Sequence, residues 1–207
     1  MSKIFIIGLP RTGTTSISVA FLNLGYKVAH TAFTKQAFNL AEVVTDCPCF
    51  SDYQQLDKLF PDARFIYLTR NLNVWLPSMQ RLLTRMLPEL GLKNGNFSPV
   101  LKRSFEQTFE LTHSQLLTEM HLTNCYQRHQ QAVLAYFSGR SDFLSIDIGQ
   151  PSSYQLLCYF LNIKVSDKNS FPHVNQGQQV AHWKSVKHVN KISSFSAGPE
   201  HRQFFNY

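Results

Sequence analysis

The chain has 207 residues, 43% of them apolar, which suits one folded domain spanning 1–207 with a sizeable core and excludes a disordered polymer. No apolar run approaches the ~18–20 residues that cross a bilayer, so no membrane span is expected. The formal charge of +7, from 20 basic and 13 acidic residues, favours anionic ligands.

The first half alternates strand and helix signals. Lys3–Gly8 is a short apolar run suited to a central parallel strand. Thr14–Leu24 follows with Ile17, Ala20, Phe21 and Leu24 at helical spacing, and Gly25 supplies the stop. Tyr26–Ala29 reads as a second short strand leading to His30, and Phe33–Val43 as a helix. Another helix ends over Leu56–Phe60 at Pro61. Arg64–Thr69 (RFIYLT) is a strand by its aromatic and branched residues. Leu72–Leu87 carries Trp75, Met79, Leu82, Leu83, Met86 and Leu87 on one stripe, a helix in which Pro77 is least harmful if Asn73 is the cap. Residues 88–98 read as a loop from their Gly, Asn and Pro content, and 99–138 as one or two helices. Phe143–Ile148 is a further strand and Pro151–Leu161 a helix with proline near its start. From Ser166 the chain is polar and irregular. This alternation predicts an α/β fold, a three-layer, P-loop-type parallel sheet flanked by helices.

The four cysteines, Cys47, Cys49, Cys125 and Cys158, have no His/Cys partner set for zinc and read as buried free thiols, so no metal is expected. The basic residues are scattered apart from Lys184, Lys187, His188 and Lys191, and no nucleic-acid-binding motif stands out. The apolar stretch near the N-terminus is interrupted by Arg11 and lacks a small-residue cleavage site, which points to a cytoplasmic protein.

The chemistry begins at GLPRTGTTS, residues 8–16. A glycine-rich turn from a strand into a helix exposes backbone N–H groups at the helix N-terminus, where they and the helix dipole hold an anion. Thr12, Thr14, Thr15 and Ser16 add hydroxyls. Gly8 and Gly13 have the spacing of a triphosphate-binding loop, but Thr14 stands where that loop carries its lysine. The cation within the turn is Arg11. Taken alone, the stretch reads equally as an ordinary tight turn with a capping threonine. A second feature adds to it. Arg70 ends the RFIYLT strand and Ser78 follows eight residues later, so both can reach one anion at the sheet edge where ligands of open α/β sheets bind.

Together the two motifs resemble the sulfotransferase superfamily, whose members use 3′-phosphoadenosine-5′-phosphosulfate (PAPS) and release 3′,5′-adenosine bisphosphate without a metal. The resemblance implies that Pro10, Arg11, Thr12, Gly13, Thr14, Thr15 and Ser16 cradle the 5′-phosphosulfate, and that Arg70 and Ser78 hold the 3′-phosphate. It is closest to a bacterial-type branch, through His30-Thr31, Asp46-Cys47-Pro48, Phe60-Pro61-Asp62-Ala63-Arg64-Phe65-Ile66 and Phe171-Pro172-His173-Val174-Asn175. It spans roughly residues 3 to 175, with no matching motif in 88–140. The segment Gly177–Lys184 resembles the loop that closes over the 3′-phosphate in relatives, which carries over Gly177, Trp183 and Lys184 although the arginine of that loop is absent.

A sulfuryl group carries less charge than a terminal phosphoryl group, so the missing lysine and magnesium clamp are tolerable. Arg11 is the candidate for stabilising negative charge on the bridging oxygen. Arginine does not readily give up a proton, so its role is electrostatic. His30 and Asp46 are both candidates for the base that takes the acceptor proton. The acceptor is a small molecule or glycan offering a hydroxyl or amine. Aromatic residues in 97–137 serve the core or wall a pocket for a hydrophobic alcohol or phenol. The rival readings are a P-loop kinase or nucleotide phosphatase, and a non-catalytic nucleotide-binding module.

Overall fold

Branched and aromatic residues at alternate positions build a sheet that is apolar on both faces. The computed structural model describes residues 2–91, 95–164, 170–172, 182–197 and 203–205. Five strands, β1 (Ile4–Ile6), β2 (Val28–Ala29), β3 (Val43–Thr45), β4 (Arg64–Leu68) and β5 (Phe143–Ile146), pair in the order β2-β3-β1-β4-β5. Every pairing is parallel. The helices are α1 (Thr14–Asn23), α2 (Lys35–Leu40), α3 (Cys49–Leu59), α4 (Leu72–Leu90), α5 (Pro99–Phe109), α6 (Glu119–Tyr136), α7 (Ser153–Leu161) and the short α8 (His182–Ser185).

The two-residue period of the strands sorts the core into layers. Ile4, Ile6, Ile66 and Leu68 pack with Ile17 and Phe21 of α1 and Leu157 and Leu161 of α7. Phe5, Ile7, Phe65 and Tyr67 face the other way, onto Phe38 of α2, Leu56 of α3, Val133 of α6 and Phe137, the C-cap of α6. A third cluster lies among helices, where Trp75, Met79 and Leu83 of α4 meet Phe105 and Phe109 of α5 and Tyr126 of α6. The architecture is α/β, a parallel sheet flanked by helices, as in three-layer P-loop-like folds.

Several boundaries differ from those predicted. The helix expected over Phe33–Val43 is only α2, because Thr34 caps it by accepting from Ala37 N–H at 3.1 Å and Ala41 is extended. Val43, the predicted last residue of that helix, instead opens β3, a strand too short to show its own period. The cap of α4 is Asn71, whose side chain accepts from Asn73 N–H at 3.0 Å, rather than Asn73 itself. That helix runs through Pro88 to Leu90, so the loop predicted from residue 88 starts later. The region 99–138 holds two helices, α5 and α6. The strand expected to reach Ile148 ends at Ile146, and α7 starts at Ser153 rather than Pro151. All four cysteines are free and buried. Among the described residues no helix is long and apolar enough to cross a membrane.

The chain steps from β3 on one side of β1 to β4 on the other, which puts the topological switch at the C-terminal ends of β1 and β4. Gly8 lies at this crossing, where a β-carbon would come within 2.6 Å of Leu68 Cβ. The far edge of the sheet is covered by a C-terminal strap. Val28 N–H donates to Asn190 O at 2.9 Å, Ile192 N–H to Val28 O at 2.8 Å and Phe33 N–H to Ser194 O at 2.9 Å.

Candidate active site

The turn after β1 ends at Gly13, whose φ of 109° is left-handed and whose missing β-carbon leaves room for Ile148. Gly13 is also the N-cap of α1, and no side chain caps that helix. The first intrahelical bond runs from Ile17 N–H to Gly13 O at 3.1 Å, so the amides of residues 13–16 have no acceptor within the helix. They point with the positive end of the helix dipole into a cavity of about 750 Å³.

The remaining loop residues divide by what they touch. Pro10 O accepts from Trp75 Nε1 at 2.9 Å, and the Thr12 hydroxyl donates to Leu9 O at 2.7 Å, so both brace the turn from inside. Thr14 Oγ1 donates to Asp46 Oδ2 at 2.8 Å. Ser16 makes no side-chain hydrogen bond among the described residues, and it lines the cavity with Thr14 and Thr15. Arg11 has φ 72° and Asp46 φ 55°, left-handed conformations that cost a non-glycine residue energy and concentrate at functional sites.

Arg11 joins the glycine turn to Arg70 and Ser78. Its Nε donates to Ser78 Oγ at 2.8 Å, and its carbonyl accepts from Arg70 Nη1 at 2.6 Å. Ser78 and Arg70 therefore meet Arg11 rather than each other. Ser78 lies two turns into α4 against the β1–α1 turn, whereas Arg70 lines the cavity. Burial and the neighbouring Arg70 and Arg81 push the Arg11 pKa down, and Asp46 opposes that shift. Burial lowers Arg70 too, against the pull of Asp147. Tyr126 of α6 fixes the Arg70 backbone. Its hydroxyl accepts from Arg70 N–H at 3.0 Å and donates to Arg70 O at 2.8 Å.

His30 follows β2 and faces the same cavity. Its Nδ1 lies 2.8 Å from Thr45 Oγ1 and 3.2 Å from Ser18 Oγ. Both hydroxyl protons have carbonyl acceptors, Ser18 on Thr14 O at 2.7 Å and Thr45 on His30 O at 2.9 Å. With the hydroxyl protons on those carbonyls, the ring donates from Nδ1 and Nε2 carries the lone pair; the 2.9 Å contact between Ser18 Oγ and Thr45 Oγ1 also accommodates the opposite tautomer. Nε2 is 3.4 Å from Thr15 Oγ1 and 4.0 Å from Asp46 Oδ2. Burial lowers the His30 pKa; Asp46 raises it and Lys191 lowers it further. The imidazole is therefore neutral at neutral pH.

The C-terminal strap closes the other side. The Trp183 ring lies 5.2 Å from that of His30, and Lys191 sits over Trp183 while donating to its carbonyl at 2.6 Å. Lys184 reaches the cavity as an exposed cation. Gly177, His173 and Asn175 lie outside the described residues. Away from the charged end, the walls are Phe33, Leu82, Met86, Phe97, Leu101 and Phe195.

Sequence reasoning did not single out Ser18, Thr45, Tyr126 or Asp147. Ser18 had a signal, since it follows Thr14 by one helical turn. Asp147 had one too, as a carboxylate ending a strand at the ligand edge. Tyr126 had none, because its partner is 56 residues away. No group of three or more His, Cys, Asp or Glu suited to a metal occurs among the described residues.

The sulfotransferase-domain family matches residues 3–37 and 31–180, a span that takes in the glycine turn, His30, Asp46, Arg70 and Asp147. No curated protein gives a significant match. With most of its length matched by that family, the chain belongs to the sulfotransferase superfamily.

Proposed function

We propose that this protein transfers a sulfuryl group from PAPS to the hydroxyl or amine of an acceptor held against the apolar wall. One observation carries the reading. A single cavity joins an uncapped helix N-terminus and two arginines to a neutral histidine whose Nε2 lies beside Thr15 and Asp46. The first part suits the phosphates of the donor, and the second suits an acceptor that must lose a proton.

The residues fit the donor without a metal clamp. The amides of Gly13 to Ser16 and the hydroxyls of Thr15 and Ser16 would hold the 5′ end, with Pro10, Thr12 and Thr14 keeping the turn in shape. Arg70, with Lys184 and Gly177, would hold the 3′-phosphate. PAPS, when bound, supplies the sulfur electrophile and takes the electrons of the breaking S–O bond onto its bridging oxygen. Arg11 stabilises that charge as a fixed cation, and Ser78 holds the guanidinium at its angle. His30 Nε2 accepts the acceptor proton. Asp46 then faces the imidazolium at 4.0 Å while fixing the Thr14 hydroxyl, which makes it a partner of the base rather than the base. The apolar wall suits a hydrophobic alcohol or phenol.

Calorimetry with 3′,5′-adenosine bisphosphate without magnesium, against ATP with magnesium, tests this. Tight binding of the bisphosphate, lost in Arg70→Ala, is expected. A preference for magnesium-ATP would instead make the protein a kinase or nucleotide phosphatase. Bisphosphate binding with no turnover on any acceptor would leave a nucleotide-binding module.

A further inference from the structure

Asp147 is an anion placed in an anion site. It follows the last paired residue of β5, since Leu68 pairs with Ile146 and Thr69 N–H donates to Ile146 O at 2.9 Å. Asp147 is thus level with the residue before Arg70, at the same sheet edge, and it lines the same cavity. Its position is well fixed. Oδ1 accepts from Gly149 N–H at 2.9 Å, and its carbonyl accepts from Ser153 Oγ at 2.6 Å and Gln150 N–H at 3.0 Å.

None of these bonds requires a charge. An asparagine would close the same turn through its own Oδ1. The second oxygen, Oδ2, has no hydrogen-bond partner among the described residues. Asp147 and Arg70 attract one another, yet no contact ion pair joins them. A carboxylate here repels any phosphate that Arg70 binds. Its presence makes chemical sense if it accepts a hydrogen bond from a hydroxyl that travels with that phosphate. In a nucleoside 3′-phosphate such a group is adjacent, because the 2′-hydroxyl sits on the next ribose carbon. Carboxylates are suited to this task, as acceptors with two oxygens and no proton to offer.

We infer that Asp147 accepts a hydrogen bond from the ribose 2′-hydroxyl of the nucleotide and so selects ribonucleotide over deoxyribonucleotide. This rests on the proposed function above. A carboxylate that served only as the counter-ion of Arg70 would not distinguish the two sugars.

The experiment is calorimetry on the full chain with adenosine 3′,5′-bisphosphate and with its 2′-deoxy counterpart, for wild type and Asp147→Asn. Wild type should bind the ribonucleotide about tenfold or more tightly than the deoxyribonucleotide, the range of a charge-assisted hydrogen bond. Asp147→Asn should lose that preference while binding the deoxyribonucleotide at least as well as wild type, since the repulsion is gone. Equal binding of both sugars by wild type would overturn the inference and leave the proposed function standing. So would a preference that survives in the variant, or an equal loss of both ligands. Failure of wild type to bind either bisphosphate would remove both readings. The wild-type comparison needs no variant, so it decides even if Asp147→Asn does not fold.

Discussion

The two ends of the cavity are built in different ways. The charged end stands on strand termini and one helix start, within residues 10–16, 30, 46, 70 and 147. Its donors are backbone amides and short polar side chains, positioned by glycine geometry and by hydrogen bonds to neighbouring strands. The apolar end stands on α4, α5, the 31–33 turn and the C-terminal strap. Its walls owe their positions to helix packing. The difference teaches that the candidate anion site takes its donors from the ends of strands and one helix start, braced by side chains of α4 and α6, while the apolar wall takes its shape from helix packing. Disturbing one end should leave the other working.

His30 stands at the boundary, so its loss should have the largest effect. His30→Gln should lower kcat by roughly 10²–10⁴, the usual span for a general base, with bisphosphate affinity unchanged. The pH profile sharpens this. Burial holds the His30 pKa below 6.5, so the base is neutral and active above that value. The rate should fall on the acid side only below pH 6.5, and His30→Gln should abolish that limb. Stability follows the same sign. The unfolded chain binds the proton first, so this contribution is full above pH 6.5 and shrinks as pH falls. A limb that persists in the variant would assign it to another group.

Arg11→Ala comes next, with a loss of about 10²–10³ in kcat, the effect of removing one preorganised charge from a transition state. Single-turnover rates measure it directly. Because Arg11 also binds Ser78 and carries the carbonyl that Arg70 grips, bisphosphate affinity should fall as well. Arg11→Lys should recover part of the rate but not the Ser78 geometry. Full activity in Arg11→Ala would remove its electrostatic role.

At the apolar end, Phe97→Ser and Phe195→Ser should each raise KM for a phenol or hydrophobic alcohol, by about tenfold if the ring is covered by the acceptor. Calorimetry with the bisphosphate should not detect either change. If both ends respond together, the cavity is one cooperative unit and the contrast fails.

The same contrast governs what could be read from the sequence. The glycine turn, the RFIYLT strand and Arg70 are local patterns, and the structure keeps them as elements of one sheet edge. Gly13 is legible because a left-handed N-cap next to Ile148 admits no side chain. His30 and Asp46 were legible as candidates, but the division of labour proposed for them was not. It depends on hydroxyl protons at Ser18 and Thr45, one on a helix and one on a strand. The strand β3 was missed, its first residue taken into a predicted helix, because three residues do not reveal a period. The cap of α4 was misplaced because Asn71 and Asn73 look alike in sequence and only backbone direction separates them. The strap at 190–196 reads as irregular since the bonds that hold it in place go to residues 28–34, far away in sequence.

Tyr126 gives the smallest effect and the finest test of the contrast. It lies on α6, a helix of the packed side, yet its hydroxyl bonds both the N–H and the carbonyl of Arg70 at the charged end. Trp75 does the same service on the other strand end, donating to Pro10 O, and the two rings lie 4.8 Å apart. Tyr126→Phe keeps the ring packing and removes only the hydroxyl. Bisphosphate affinity should fall about three- to tenfold, the net worth of the hydroxyl's two bonds to the Arg70 backbone, while KM for an apolar acceptor stays as it was. A purely structural residue would lower the melting temperature and leave the ratio of the two affinities unchanged. A selective loss at the phosphate side would show that α6 supports the candidate anion site through this hydroxyl, as α4 does through Trp75 and Ser78.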